Sequence, residues 1–447
     1  MISFIIAIGV LLLLWCEGAV LSRLLLKGRV NALMHASLGL PLAALLSALI
    51  IFGLTLANLS LKPIAILVPH GVLLLVFLAL TRARKDSSSL QVPAGIRLPR
   101  LLKILCGLIL ACAITYSIVH AFVLPTFHYD SATNWNMRAK ASLYQQQMII
   151  EEQYSFIRKP HYPILFHSWQ ITAHQGQDEW SEPIANGSHW LLSFTSFFAL
   201  FLFLRLLRGT GVALLCVTII VGIPLMTLHL GQSYADATLV QFALLSLVSM
   251  MLYQRDRTLV WLILSALFCA ACVWTKAEGL FFCLIPWLVL LGVMWWRYAE
   301  RGRLVLAGVV GVGISAIWPI YALTQGLSLT PHSGADTALT WNPSALFAIF
   351  NALFVQGSFG IHWYVLVVAV VLILITGKRT FPLLWGSLAF LEYMIVYLFT
   401  ANVEYLLLGQ AFDRQMLLPA ALLTLGCVLV FTTPRYFPGS PQCVEPA

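Results

Sequence analysis

HYDSATNWNMRAKASLY, residues 128–144, is the densest stretch of potential chemistry in this chain: a carboxylate, Asp130, is followed at helix-like spacing by Trp135, Arg138 and Lys140. Three further charged sites interrupt long apolar runs, namely Asp236 in SYADATL, Lys276 with Glu278 in VWTKAEGL, and Asp413 with Arg414 in AFDRQMLLP. A positioned carboxylate can take a proton from a hydroxyl. Arg and Lys can hold an anionic phosphate, Arg through two oxygens at once. Each site also has a plainer reading. Asp130 could cap the helix that begins near Ala132, and Lys276 or Asp413 could be an anchor reaching for lipid headgroups. Ionisable groups at the ends of apolar spans are costly unless paired, hydrated or used, so four such sites on one face weigh against four separate anchors.

The elements that must position these groups are membrane helices. Apolar residues make up 60% of the 447 positions and charged residues 10%. The apolar residues come in runs of roughly 20, long enough to cross a bilayer as a helix. Thirteen such runs lie near 2–22, 32–57, 64–81, 102–124, 189–207, 211–230, 237–254, 258–275, 280–296, 304–323, 361–377, 381–400 and 416–433, and 344–358 reads as a shorter interfacial or re-entrant helix. The first run has no basic residues before it, so it is expected to stay as a span rather than be removed as a leader. Eight of the nine cysteines fall inside apolar runs and read as small apolar residues, not disulfides. The net charge of +9 points away from nucleic acid because of where it sits. With the N-terminus outside, the 26 Lys and Arg divide nineteen to seven in favour of cytoplasmic loops, and eleven of the 17 acids fall on the other face. That places the C-terminus in the cytoplasm and all four charged sites on the extracytoplasmic side.

Along its length the chain divides into a three-helix N-terminal part, residues 1–82, a polar cytoplasmic linker, 83–100, a membrane core, 101–433, and a cytoplasmic tail, 434–447. The longest outer loop, 125–188, carries amphipathic patterns near 131–150 and 163–176 and should pack on the membrane surface. His128, His161, His167, His174 and His189 share this region, but no pair is three or four apart, so no zinc site is expected.

The charged sites also form an ordered pattern. Asp130, Trp135, Arg138, Ala139, Lys140 and Leu143 fill D-x-x-x-x-W-x-x-R/K-A-K-x-L, which resembles the first outer loop of bacterial GT-C glycosyltransferases, relatives of protein mannosyltransferases and of lipid A aminoarabinose transferases. HYPILF at 161–166 looks like the tyrosine-proline segment later in that loop, YAD at 234–236 and TKAEG at 275–279 resemble two span-edge motifs, and Arg414 with Leu417, Leu418 and Pro419 is similar to the motif opening a late span. The resemblance covers roughly 101–420 and leaves the first three spans outside the shared core.

That resemblance implies an all-α polytopic membrane protein with a GT-C-like core, in a bacterial inner membrane. It further implies transfer of a sugar from a polyprenyl-phosphate-linked donor to a saccharide, lipid or protein acceptor on the extracytoplasmic face. Asp130 would be the catalytic base. Asp236 would orient the acceptor, hold Arg414 or Lys276, or share a divalent cation with Asp130. Trp135, Arg138, Lys140, His161, Tyr162, Lys276, Glu278 and Arg414 would bind substrate. Members of the fold often pair acids in this loop, whereas His128 and Tyr129 precede Asp130 here, so a divalent cation stays an open question. An O-antigen polymerase or ligase, and a transporter or flippase of lipid-linked saccharides, are the competing readings. The first should place its large loop late in the chain, and the second should carry more mid-span charge than Glu17 and Glu392 provide.

Overall fold

The computed structural model describes residues 2–26, 28–82, 90–150, 162–327, 329, 339–377, 380–409 and 411–432. The described chain is helical: α1 (Ile2–Leu26), α2 (Ala32–Leu56), α3 (Pro63–Arg82), α4 (Arg100–Phe122), α5 (Met137–Gln145), α6 (Leu165–Ala173), α7 (Glu182–Arg208), α8 (Thr210–Val221), α9 (Pro224–Gly231), α10 (Ala235–Asp256), α11 (Leu259–Thr275), α12 (Ile285–Arg297), α13 (Arg301–Thr324), α14 (Ser344–Phe350), α15 (His362–Thr376), α16 (Phe381–Phe399), α17 (Val403–Leu407), α18 (Phe412–Gln415) and α19 (Leu417–Thr432). Among the described residues ten helices are long and apolar enough to cross a membrane, or eleven if α8 and α9 form one broken span. The chain is an integral membrane protein.

Each of the thirteen apolar runs is helical, but three fall short of a straight span. Run 211–230 bends by 79° between α8 and α9. Pro224 explains the break: it has no N–H to continue α8 and instead opens α9 at its first position. Runs 258–275 and 361–377 form α11 and α15, with 17 and 15 residues. The stretch 344–358 is a short helix that continues into a π turn at Asn351–Val355.

Two helices form the axis. In α10 every residue from Ala235 to Tyr253 is buried, and α19 is buried from Leu417 to Val430. A helix surrounded by protein can carry polar groups if they are paired, and α10 does so: Ser246 Oγ donates to Ser265 O of α11 at 2.7 Å. The amphipathic pattern at 163–176 turns out to be α6, whose nine residues are all buried, so this part of the loop lies inside the protein and not on the membrane surface.

The N-terminal helices dock on this core through α2, whose Phe52 meets Trp274, Trp318 and Tyr321 edge-on. Only Ile66 and His70 of α3 are buried. His70 Nδ1 lies 2.6 Å from Glu17 Oε2 of α1 and its Nε2 lies 3.4 Å from Ser47 Oγ of α2, which accounts for Glu17 within a span. Of the expected linker, residues 83–89 lie outside the described residues, and the remainder threads between neighbours. Leu90 N–H donates to Arg29 O at 2.8 Å, and a Cβ on Gly95 would stand 2.4 Å from Arg208 O. The expected tail, 434–447, also lies outside the described residues.

Candidate active site

The end of the bundle where α10 and α19 begin gathers most of the charged residues. Asp130 follows α4, and the backbone runs from it through a π turn, Ser131–Asn136, into α5. Its side chain makes no capping hydrogen bond, so the capping expectation does not hold. Instead Asp130 Oδ1 accepts from Asn134 Nδ2 at 2.9 Å, and Oδ2 meets Arg414 Nη1 at 2.5 Å. Arg414 sits in α18 at the entry to α19. Its Nη1 is also 3.8 Å from Asp236 Oδ2, and its guanidinium carbon lies 5.3 Å from the centre of the Tyr234 ring. That ring stacks in turn on His229 at 4.2 Å, so the cation is fixed by two carboxylates and an aromatic face.

Asp236 lies in the first turn of α10, where the helix dipole favours a carboxylate, and Lys276 follows the last residue of α11, where it favours a cation. Lys276 Nζ reaches Asp236 Oδ1 at 2.9 Å and Glu278 Oε1 at 3.0 Å. Burial alone would push the Lys276 ammonium down, but the two carboxylates outweigh it and hold its pKa above the ordinary lysine value. Burial likewise pushes Glu278 up, and Lys276 reverses this to leave its pKa below the ordinary value. Tyr234 is pushed up to about 12, mainly by burial, and stays a neutral phenol. His128 is pushed down by burial and then by His120 and Arg414, so it is neutral at pH 7.

Glu278 is linked onward. Its Oε1 accepts from Gln415 Nε2 at 3.1 Å, and Tyr397 OH donates to Gln415 Oε1 at 2.5 Å. Together these groups line a cleft of about 40 Å³, whose walls also include Trp135, Tyr162, Asn402 and Tyr405. Trp135 stacks on Tyr162 with ring centres 5.3 Å apart. Three buried polar atoms of cleft residues, Trp135 Nε1, Asp236 Oδ2 and Glu278 Oε2, have no hydrogen-bond partner, which leaves one donor and two acceptors for a ligand. Two π turns, Ser131–Asn136 and Leu280–Leu284, begin within two residues of Asp130 and Glu278, a placement common beside functional groups.

Two expected substrate-binding residues are elsewhere. Arg138 is buried with Nε donating to Ile149 O at 2.8 Å and Nη1 to Tyr162 O at 2.7 Å; it braces the loop and does not line the cleft. Lys140 is exposed. Positions two apart on a helix do not share a face, so Arg138 and Lys140 could not both have turned to one ligand. His161 lies outside the described residues. Asp413 also points away, accepting from Ser358 Oγ at 2.6 Å. Tyr397, Asn402, Tyr405 and Gln415 were not anticipated; their only signal was neutral polarity at the ends of apolar runs. Among the described residues, no group of three or more His, Cys, Asp or Glu is placed to hold a metal ion. Asp130 and Asp236 meet at a guanidinium.

Solved structures share this architecture. ArnT from Cupriavidus metallidurans in the apo state aligns over 75% of this chain with a TM-score of 0.54 and 14% identity. ArnT from the same organism bound to undecaprenyl phosphate aligns over 74% with a TM-score of 0.55 and 14% identity. The fold is GT-C-like. In both cases the GT-C-like match spans 61% of the solved chain, leaving a substantial part of the neighbour without a counterpart. No family model and no curated protein matches the sequence.

Proposed function

We propose that this protein is a membrane glycosyltransferase that moves a sugar from a polyprenyl-phosphate-linked donor to an acceptor hydroxyl at the cleft. The observation that carries the proposal is Arg414, a guanidinium held between Asp130 at 2.5 Å and Asp236 at 3.8 Å at the edge of the membrane. A guanidinium so placed suits a phosphate that arrives on a lipid. The likeness to a fold solved with undecaprenyl phosphate supports the donor class.

The reaction requires one proton to be removed and one anion to be stabilised. In the resting protein Asp130 is occupied by Arg414. A donor phosphate that engages the guanidinium frees the Asp130 oxygen, which then accepts the proton of the acceptor hydroxyl. The acceptor oxygen forms a bond to the anomeric carbon, the bond from that carbon to the phosphate oxygen breaks, and the electron pair leaves on the lipid phosphate, held by Arg414. Lys276 keeps Asp236 and Glu278 in place, and the free Glu278 Oε2 and Trp135 N–H are available to sugar hydroxyls. A cleft of about 40 Å³ is far below the roughly 300–1,000 Å³ of small-ligand sites, so the segment carrying Asn402, Tyr405 and Arg414 must move outward when the donor enters.

On this reading the cleft faces away from the cytoplasm. The basic residues support it: Arg29 pairs with Asp256 at 3.3 Å and Arg303 donates to Arg257 O at 2.7 Å, all at the far end of α10 from Asp236.

Arg414→Lys tests the donor assignment, because an ammonium keeps the charge and loses the planar two-point contact. Loss of one charge-assisted hydrogen bond is worth about 1.5–3 kcal/mol, roughly ten- to a hundredfold in donor binding. Purified wild type, Arg414→Lys and Arg414→Ala would be titrated with polyprenyl-phosphate sugars. Equal binding by all three, each confirmed folded, would remove the phosphate assignment. No binding by wild type to any donor in a panel of sugars would remove the enzyme reading.

A further inference from the structure

The opposite end of the bundle has a hollow of its own. Helices α1 and α2 touch backbone to backbone where Gly18 faces Gly39; a Cβ at Gly18 would lie 1.9 Å from Gly39 O. Between that contact and the turn at Gly28 lies a cavity of about 470 Å³. Trp15 forms part of its wall and is held by its indole N–H, which donates to Ala36 O at 2.8 Å. The space exists because Ala19, Gly28, Ala32 and Ala36 line it, where larger side chains would fill it.

The lining is amphipathic. Indole and methyl groups supply the apolar surface. The polar groups are Arg23, which is exposed, and His35, whose Nδ1 lies 3.0 Å from Ser22 Oγ. Arg29 nearby is tied to Asp256 at 3.3 Å, whereas Arg23 has no carboxylate partner among the described residues. Water at about 30 Å³ per molecule could enter, but on indole and methyl walls it would find few hydrogen-bond partners. The complement of this surface is one anion joined to a short apolar stem.

We propose that this hollow binds the headgroup region of an anionic phospholipid, with the phosphate against Arg23 and the glycerol and first methylenes against Trp15, Ala19 and Ala36. The location suits such a ligand: a basic pocket between helices, at the membrane boundary, next to a cluster of Arg and Lys in the sequence. The site lies in the N-terminal helices, far from the cleft, and does not depend on the transferase reading.

Two variants approach it independently. Arg23→Gln removes the charge and keeps the space; Ala19→Leu keeps the charge and narrows the space beside Trp15 and Ala36. Arg297→Gln, which alters a basic residue at the same end but outside the cavity, controls for general surface charge. Delipidated protein in neutral detergent would be titrated with phosphatidylglycerol, phosphatidylcholine or inorganic phosphate, and the bound lipid counted by native mass spectrometry alongside the melting temperature. The expected result is one tightly held phosphatidylglycerol on wild type and on Arg297→Gln, with binding at least tenfold weaker in each of the other two variants. Equal binding of phosphatidylcholine would overturn the proposal, as would full retention by both Arg23→Gln and Ala19→Leu. An equal loss in Arg297→Gln would assign the effect to bulk surface charge. Stabilisation by inorganic phosphate alone, matching that by the lipid, would mean an anion site without a lipid role.

Discussion

Replacing Lys276 by Met tests whether charge balance holds the cleft together. The ammonium is only 5% exposed and lies 2.9 Å from Asp236 and 3.0 Å from Glu278, whose side chains are 4% and 15% exposed. At an effective dielectric constant of about 20, each contact is worth roughly 5–6 kcal/mol of gross attraction, most of it offset by the cost of removing three charges from water. Removing the cation alone strands two carboxylates, and the net loss should be about 3–5 kcal/mol of unfolding free energy. Three carboxylates then face Arg414 alone. Adding Glu278→Gln restores the original imbalance of one negative charge, so Lys276→Met/Glu278→Gln should recover about 2–3 kcal/mol, a coupling that a double-mutant cycle reads directly. The difference between wild type and Lys276→Met should also depend on pH in a defined way. Glu278 is held below its ordinary value of 4.5, so its contribution is complete above that pH and lost as pH falls through the depressed value. Lys276 is held above its ordinary value of 10.5, so its contribution is complete below that pH and lost only as pH rises further. In Lys276→Met nothing reverses the effect of burial, so Glu278 is held above its ordinary value there; the difference should therefore be smallest at low pH, grow as pH rises through that raised value, and then stay flat to about pH 10. A cost below 1 kcal/mol for Lys276→Met in equilibrium unfolding would refute the reasoning, as would a double variant no better than the single one.

Two further outcomes bear on the proposed function. Asp130→Asn keeps size and most hydrogen bonding but cannot take a proton, so transfer should fall roughly 10²–10⁴-fold even though donor binding holds or tightens, since Arg414 loses a competing carboxylate; near-normal turnover in the folded variant would remove Asp130 as the base. A reporter fused after Arg257 or Arg303 should be cytoplasmic and one inserted near Gln147 should be extracytoplasmic, and a cytoplasmic result near Gln147 would invert the proposed orientation.

What could be read from sequence follows from what lipid does to each kind of residue. Runs of apolar residues declare membrane helices because no other solvent tolerates them; all thirteen are helical, and ten among the described residues are long and apolar enough to span, eleven with the bent pair. Their shapes were less visible: the 79° bend at Pro224 left the hydropathy of run 211–230 unbroken, although Gly222 and Pro224 mark a break in helix propensity. Asp236, Lys276, Glu278 and Arg414 stood out because a charge beside an apolar span needs a partner, and the fold supplies those partners from α10, α11 and α18, segments remote in sequence. Which charges partner which could not be read, since that depends on how the helices pack.

A shared motif is a weaker guide to position than a charge beside a span. Arg138 and Lys140 share a motif with Asp130, yet one braces loop carbonyls and the other faces outward, as their two-residue spacing on α5 requires. Tyr397 and Gln415 carry no charge, and neutral polar groups near span ends are too common to attract notice. Their position changes how the cleft is understood. Tyr397 OH holds Gln415 at 2.5 Å, Gln415 holds Glu278 at 3.1 Å, and Gln415 is the residue after Arg414. The guanidinium proposed to hold the phosphate and the acid proposed to meet the sugar are thereby tied to one short helix, α18, so an outward movement that admits the donor would draw Gln415 from Glu278 and Arg414 from Asp130 together. Asp130 would then be released to the acceptor only when the donor arrives, while Glu278 stays held by Lys276 with its other oxygen already open to the sugar.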